Sequence, residues 1–292
     1  MNRDDLGGRL DGLVRLLNLV ASGRRHLVLD NTYATRKSRA GVIAAAREAG
    51  LPVRALWLDT PLEEARWNAC LRMIERHGRL LGPDEIKVAS KLEANTIPPR
   101  AQHHWLETFE PPSTSEGLER IERRAFVRAP SPDTKKGLLL DVDGALRRTR
   151  SGELYPRTPE DVELLPGRRE ALERWLAHGW RIFFTSNQSG IHSGRVRTDM
   201  VDRAFARTIE LLGLPVDDVV YCPHQAFPVA CFCRKPMPGL AALLVTRHHL
   251  ARPSLVVVGE LQSERDFATA IGARYVAPDA FFGVASPPRR RG

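Results

Sequence analysis

Four ligands for a soft metal fall within twelve positions of this chain, at Cys222, His224, Cys231 and Cys233. A loop that must bring three sulfurs and an imidazole to one point has little conformational choice. Three thiolates and one imidazole complete a tetrahedral zinc site with no open position, the pattern of a structural ion. The competing reading is a disulfide pair beside a surface histidine. The N-terminal residues carry no secretory-leader pattern, so reduced thiols and the metal are expected. Arg234 and Lys235 follow at once, two cations fixed to the same loop and held for an anionic substrate. The fourth cysteine, Cys70, lies in an Arg-rich helical pattern and is expected to be a packed thiol.

A second stretch, Lys135 to Arg148, opens with the apolar run Leu138 to Leu140 and continues Asp141-Val142-Asp143-Gly144. The run predicts a buried parallel strand. Two carboxylates two residues apart then fall at the strand's C-terminal edge, where α/β folds collect their chemistry. The first is suited to attack phosphorus and to hold Mg²⁺; the second, to give a proton to the leaving oxygen and take one from water. Gly144 permits a sharp turn. A calcium loop has similar acidic spacing, but no acid follows at its twelfth position.

Two more apolar runs end in polar groups. Arg181 to Phe184 leads into Thr185-Ser186-Asn187-Gln188-Ser189-Gly190, whose hydroxyls and backbone N–H groups suit phosphate oxygens. Ser254 to Val258 leads into Gly259-Glu260-Leu261-Gln262-Ser263-Glu264, which sets acids at a third strand end. With Lys235 as the positive charge, these are the parts of a phosphoryl-transfer site, spaced as β-α-β units.

The segments DVDG, VELLPG, TSNQSGI, YCPH, CFCRKPMPG and VVVGELQSERDFATAIGARY together resemble the haloacid dehalogenase (HAD) phosphatases of subclass IIIA. Within that subclass they are most similar to the histidinol-phosphate and heptose-bisphosphate phosphatases. The resemblance implies a Rossmann-like parallel sheet over 137–284 with a zinc loop and no large cap domain. It implies Asp141 as nucleophile, Asp143 as general acid/base, and Ser186 and Lys235 as stabilisers of the transferring phosphoryl group. Asn187, Gln188 and Ser189 would meet the substrate phosphate, and Arg234 would recognise the substrate. Mg²⁺ would rest on Asp141, the Asp143 backbone carbonyl and Glu260. The family's usual last motif is Gly-Asp-x-x-x-Asp; here Glu260 and Glu264 stand in the acidic positions. Ala145 also replaces the usual Thr or Val. A glutamate's extra methylene shifts its carboxylate, and a catalytic group misplaced by ~1 Å can lose on the order of 10²-fold in rate.

Residues 1–92 resemble the later part of a P-loop kinase, the kinase half of polynucleotide kinase-phosphatases. His26 to Leu29 and Val53 to Leu58 read as strands and Arg36 to Ala49 as a helix. Arg66 and Arg72 resemble lid arginines and Asp4 an acceptor-activating acid; a solvated helix face explains the arginines equally well. ATP phosphates need a Gly-rich loop with a lysine, and no Gly-Lys dipeptide occurs in the 292 residues. The segment is therefore expected to be an incomplete kinase-like α/β unit. Proline pairs at 98–99 and 111–112 mark a linker over 93–136, with an edge strand expected near Ile121 to Val127, and 285–292 reads as a disordered basic tail.

The net charge is +9 and the pI near 9.9, which invites a nucleic-acid partner. Only six of the 44 basic residues are lysine, and the arginines spread along the whole chain, so compositional bias explains the charge as well as a binding stripe does. No apolar run of ~18 residues suggests a membrane span, and a cytoplasmic location is expected. The function expected is a Mg²⁺-dependent phosphomonoesterase acting on a small sugar or polyol phosphate. A nucleic-acid 3′-phosphatase and a catalytically impaired phosphate-binding module remain open alternatives.

Overall fold

The computed structural model describes Val14, residues 27–93 and residues 95–283. Asp4, His26 and the 285–292 tail lie outside the described residues. Two compact units divide the chain: Met1–Leu62 with Arg100–Ala129, and Glu63–Pro99 with Pro130–Gly292. The division differs from the boundaries expected at 92/93 and 136/137.

In the first unit, α1 (Arg36–Glu48) starts on a capping box in which the Thr35 and Ser38 side chains each accept the other's backbone N–H at 3.1 Å. Its inner face of Val42, Ala45 and Ala46 packs on Leu27, Leu29, Leu51 and Val53. Strand β1 (Arg54–Asp59) pairs in parallel with β2 (Arg120–Ala125), from Arg54 opposite Arg120 to Asp59 opposite Ala125. The strand expected over His26–Leu29 is absent from its described part: Leu27 and Leu29 alternate in burial with their neighbours, but no ladder includes them. Burial of alternate side chains against α1 produces the strand-like pattern without a strand. Arg39 forks onto the half-buried Glu116 at 2.7 and 2.9 Å and fixes α1 to the turn at Thr114–Glu116. The helix Pro99–Thr108, α4 in chain order, brings Trp105 onto Phe109, which in turn meets Trp57.

The second unit is built on five parallel strands in the order β7-β6-β3-β8-β9. They are β3 (Lys135–Leu140), β6 (Trp180–Asn187), β7 (Asp218–Cys222), β8 (Leu250–Val258) and β9 (Arg274–Val276). Leu138, Leu139 and Leu140 are fully buried because β3 is central and covered on both faces. One face carries α5 (Arg168–Ala177), α7 (Thr198–Leu212) and α10 (Pro278–Phe282), whose Leu172, Phe205 and Phe282 meet Leu138, Leu140 and Phe184. The other carries α8 (Gly239–His248) and α9 (Gln262–Ile271). The chain from Asp143 to β6 holds only the antiparallel pair β4 (Arg147–Thr149) and β5 (Val162–Leu164), a short 3₁₀ turn and α5, which leaves no room for a large cap.

Helices α2 (Leu62–His77) and α3 (Pro83–Leu92) belong to the second unit. Trp67, Cys70, Met73, Ile74 and Ile86 join the same core as Leu139, Phe232, Leu240 and Val257. Arg252, over the Trp67 ring at 4.3 Å and on Glu64 at 2.9 Å, ties α2 to β8. Arg66 and Arg72, the expected lid arginines, thus ride on a helix anchored by its apolar face. Cys70 is fully buried there, and burial pushes its thiol well up, as a packed thiol requires. No helix among the described residues is long and apolar enough to cross a membrane.

Candidate active site and metal centre

The sheet order puts β6 and β8 on either side of β3, so three strand ends converge where the strand order reverses. Asp141 follows β3 directly, and its N–H donates to the Val258 carbonyl at 2.8 Å. The turn beyond it needs Gly144 at φ +90°, a conformation that a side chain would strain. Asp141 is 6% exposed. Lys235 Nζ donates to Asp141 Oδ1 at 2.9 Å and to the Thr185 carbonyl at 2.9 Å, and lies 3.1 Å from Glu264 Oε1. Burial favours a neutral Lys235, but the Asp141 and Glu264 carboxylates outweigh it and lift the ammonium above its ordinary range. Burial lifts the Asp141 carboxyl to about 6 against the opposing Lys235 charge, and Glu264 and Asp143 add to the rise. The strand ends thus hold more carboxylate than one ammonium balances, in a set of oxygen donors that suits a hard divalent cation.

Asp143 is held at both oxygens: Arg147 Nε donates to Oδ1 at 2.8 Å and Gln188 Nε2 to Oδ2 at 3.0 Å. The same Gln188 nitrogen donates to Ser186 Oγ at 2.8 Å, so it links the ends of β3 and β6. Asn187 clasps the backbone of Lys235, accepting from its N–H at 3.0 Å and donating to its carbonyl at 3.1 Å. Asp141, Asn187 and Lys235 thus form one hydrogen-bonded set, and Asp143, Ser186 and Gln188 a second beside it at the ends of β3 and β6. Ser189 opens the short α6 (Ser189–His192). Arg234 has a buried Nη1 with no hydrogen-bond partner among the described residues, an unspent donor on a cation. Glu260 follows Gly259 and is half-buried at the end of β8. Of the two glutamates it is Glu264 that contacts Lys235, and its signal in the sequence was its place four residues past Glu260 at a helix start.

Gly259 makes this contact possible. A Cβ there would lie 2.3 Å from Glu264 Cγ and 3.1 Å from Asp141 Cβ. Glu264 is 2% exposed and tied to Lys235, so it has nowhere to retreat. Gly259→Ala is expected to destabilise the protein by about 1–3 kcal/mol, the range of core overpacking. Thermal melting checks this; an unchanged midpoint contradicts the packing argument.

The four predicted zinc ligands also come together. Their ligand atoms lie within 4.8 Å of one another, and the three cysteines are at most 6% exposed. Cys222 and Cys231 sulfurs are 3.7 Å apart, and His224 Nδ1 is 3.5 Å from Cys222 Sγ and 3.1 Å from Cys233 Sγ. A tetrahedral centre with Zn–S near 2.3 Å requires sulfurs roughly 3.8 Å apart. The cluster therefore fits the ion, with Nδ1 as the histidine ligand atom. Hydrogen bonding among the thiols pushes Cys222 up to about 12 and Cys233 further, and holds Cys231 far down. A bound cation would displace the two remaining protons and hold all three as thiolates. The Gln188 N–H donates to the Cys222 carbonyl at 2.7 Å, so the cluster is stitched to the phosphate-side loop.

A protein-family model described as an AAA domain matches residues 3–75, a span that ends within α2. The chain is 31% identical over 144 residues to the D-glycero-beta-D-manno-heptose-1,7-bisphosphate 7-phosphatase of Pseudomonas putida, covering 48% of this chain and 81% of that one. It is 33% identical over 140 residues to the D-glycero-alpha-D-manno-heptose-1,7-bisphosphate 7-phosphatase of Mycobacterium bovis, covering 47% and 73%. A solved D,D-heptose 1,7-bisphosphate phosphatase from B. bronchiseptica, complexed with magnesium and phosphate, is 23% identical, with a TM-score of 0.44 over 53% of this chain and 90% of that one.

Proposed function

Because the chain belongs to the HAD-type heptose-1,7-bisphosphate phosphatase family, we propose that it is a Mg²⁺-dependent sugar-phosphate phosphatase that works through an aspartyl-phosphate on Asp141. The observation that carries the reading is the buried Asp141–Lys235 pair at the end of the central strand, with Asp143 two residues on. An Asp141 oxygen attacks phosphorus in line, and the phosphorus–oxygen bond to the sugar breaks. Asp143 gives its proton to the departing oxygen, which keeps the bonding electron pair. Asp143 then takes a proton from the water that attacks the aspartyl-phosphate, and phosphate leaves with Asp141 restored. Lys235 and the Ser186 hydroxyl meet the negative charge on the phosphoryl oxygens as it moves. Asn187, Gln188 and Ser189 frame the same oxygens. Arg234, with its unspent buried donor, meets a further anionic or hydroxyl group of the sugar.

Asp141, the Asp143 carbonyl and Glu260 would hold Mg²⁺, which when bound supplies charge neutralisation to the phosphate. Zinc on Cys222, His224, Cys231 and Cys233 has a structural part only. The activities named for the relatives favour a small phosphorylated sugar over a nucleic-acid end.

Glu260 is the family's unusual position here. Glu260→Gln is expected to raise the Mg²⁺ concentration for half-maximal rate at least several-fold, since a charge leaves a hard-oxygen site. Glu260→Asp is expected to hold or lower it. A Mg²⁺ titration of phosphate release decides: identical curves for wild type and Glu260→Gln would remove Glu260 from the metal set.

A further inference from the structure

Arg147 is 1% exposed and lies four residues past Asp143, with no role in the phosphoryl-transfer reading so far. Its Nε donates to Asp143 Oδ1 at 2.8 Å. Its Nη1 donates to the Ala204 carbonyl at 2.8 Å and to Thr208 Oγ1 at 2.7 Å, both on α7. The guanidinium lies over the Phe205 ring, 4.9 Å from its centroid. A leucine would fill this apolar space without the cost of burying a charge. The rigid fork instead joins Asp143 to a helix packed beneath the sheet, which a flexible ammonium would do poorly. Gln188 holds the other oxygen of Asp143, and the Asp143 side chain stays 14% exposed. Both oxygens are fixed, yet a carboxylate has about four lone-pair directions, so a site for the transferred proton remains.

We propose that Arg147 is a positioning residue that aims the Asp143 carboxyl at the leaving oxygen of the substrate. The proposal rests on the phosphatase reading above and adds a residue to it. Arg147 itself touches neither substrate nor phosphate. Its role shows only where the proton transfer matters. An alkoxide leaves poorly without a proton, whereas a nitrophenolate leaves without one. kcat/KM reports the first phosphoryl transfer, up to departure of the leaving group, and so isolates this step from the later attack of water.

The test compares kcat/KM for a sugar phosphate and for p-nitrophenyl phosphate in full-length wild type, Arg147→Met and Arg147→Lys, with Asp143→Asn as the benchmark. Arg147→Met is expected to lose on the order of 10²-fold on the sugar phosphate, the usual scale of general acid catalysis, and only a few-fold on the aryl ester. Arg147→Lys is expected to recover part of the loss. Should Arg147→Met fail to retain zinc and a wild-type melting profile, Thr208→Val, which removes one anchor of the guanidinium, is expected to show the same selectivity at smaller size. Equal losses on the two esters, or no loss on either, in the folded variant would overturn the proposal. A zinc-loaded wild type inert toward both esters would instead overturn the phosphatase reading, and the proposal with it.

Discussion

Asp141→Asn is expected to abolish phosphate release, by on the order of 10³-fold or more, while leaving a folded protein. An amide is a poor nucleophile toward phosphorus and a poor ligand for Mg²⁺. Its oxygen still accepts a hydrogen bond from Lys235, and Lys235 keeps the Thr185 carbonyl and Glu264. The buried ammonium is therefore not stranded, and the loss is chemical rather than structural. Acid-quenched wild type in turnover is expected to carry a phosphoryl adduct on the peptide containing Asp141, and the variant none. A variant that turns over like wild type would remove the nucleophile from the mechanism.

Loss of the zinc cluster is expected to have the largest effect on stability. One zinc per chain is anticipated, and structural zinc sites of this kind contribute about 10–16 kcal/mol of binding energy, much of it coupled to folding. Cys222 ends β7, and Cys231 and Cys233 flank Phe232, which is fully buried against Leu240 and the α2 side chains. Lys235 comes two residues after Cys233. Removing the metal should thus unseat a core aromatic and free the lysine that pairs with Asp141. Cys231→Ser, or incubation with a zinc chelator, is expected to release the metal, lower the melting midpoint and end activity together. Purified protein without zinc, melting the same with and without chelator, would contradict the assignment.

The parts of the second unit that could be read from the sequence share one physical origin. Leu138 to Leu140, Phe183 to Phe184 and Val256 to Val258 are buried on both faces, so they read as continuous apolar runs, and each ends where polar chemistry begins. The cysteine cluster was legible because metal geometry limits ligand spacing. What was not legible depends on packing between distant segments. Nothing in the order of residues places Trp67, Cys70 and Ile86 against Phe232 and Leu240; complementary apolar faces decide it. That is why α2 and α3 join the second unit although their sequence resembles the kinase-like segment. Arg147 was hidden for a different reason. In a chain with arginines throughout, Arg147 and Arg148 look alike, yet Arg147 is buried on Asp143 and Arg148 is exposed on Glu163. The turn at Gly144 brings the start of β4 back beside Asp143, and the alternation of side chains along β4 then buries Arg147 and exposes Arg148.

The most direct measurement is phosphate release from a sugar bisphosphate by the zinc-loaded full chain, with Mg²⁺ present and with it omitted. The account predicts saturable release that requires Mg²⁺. No release from sugar phosphates under these conditions, or an equal rate without Mg²⁺, would contradict it.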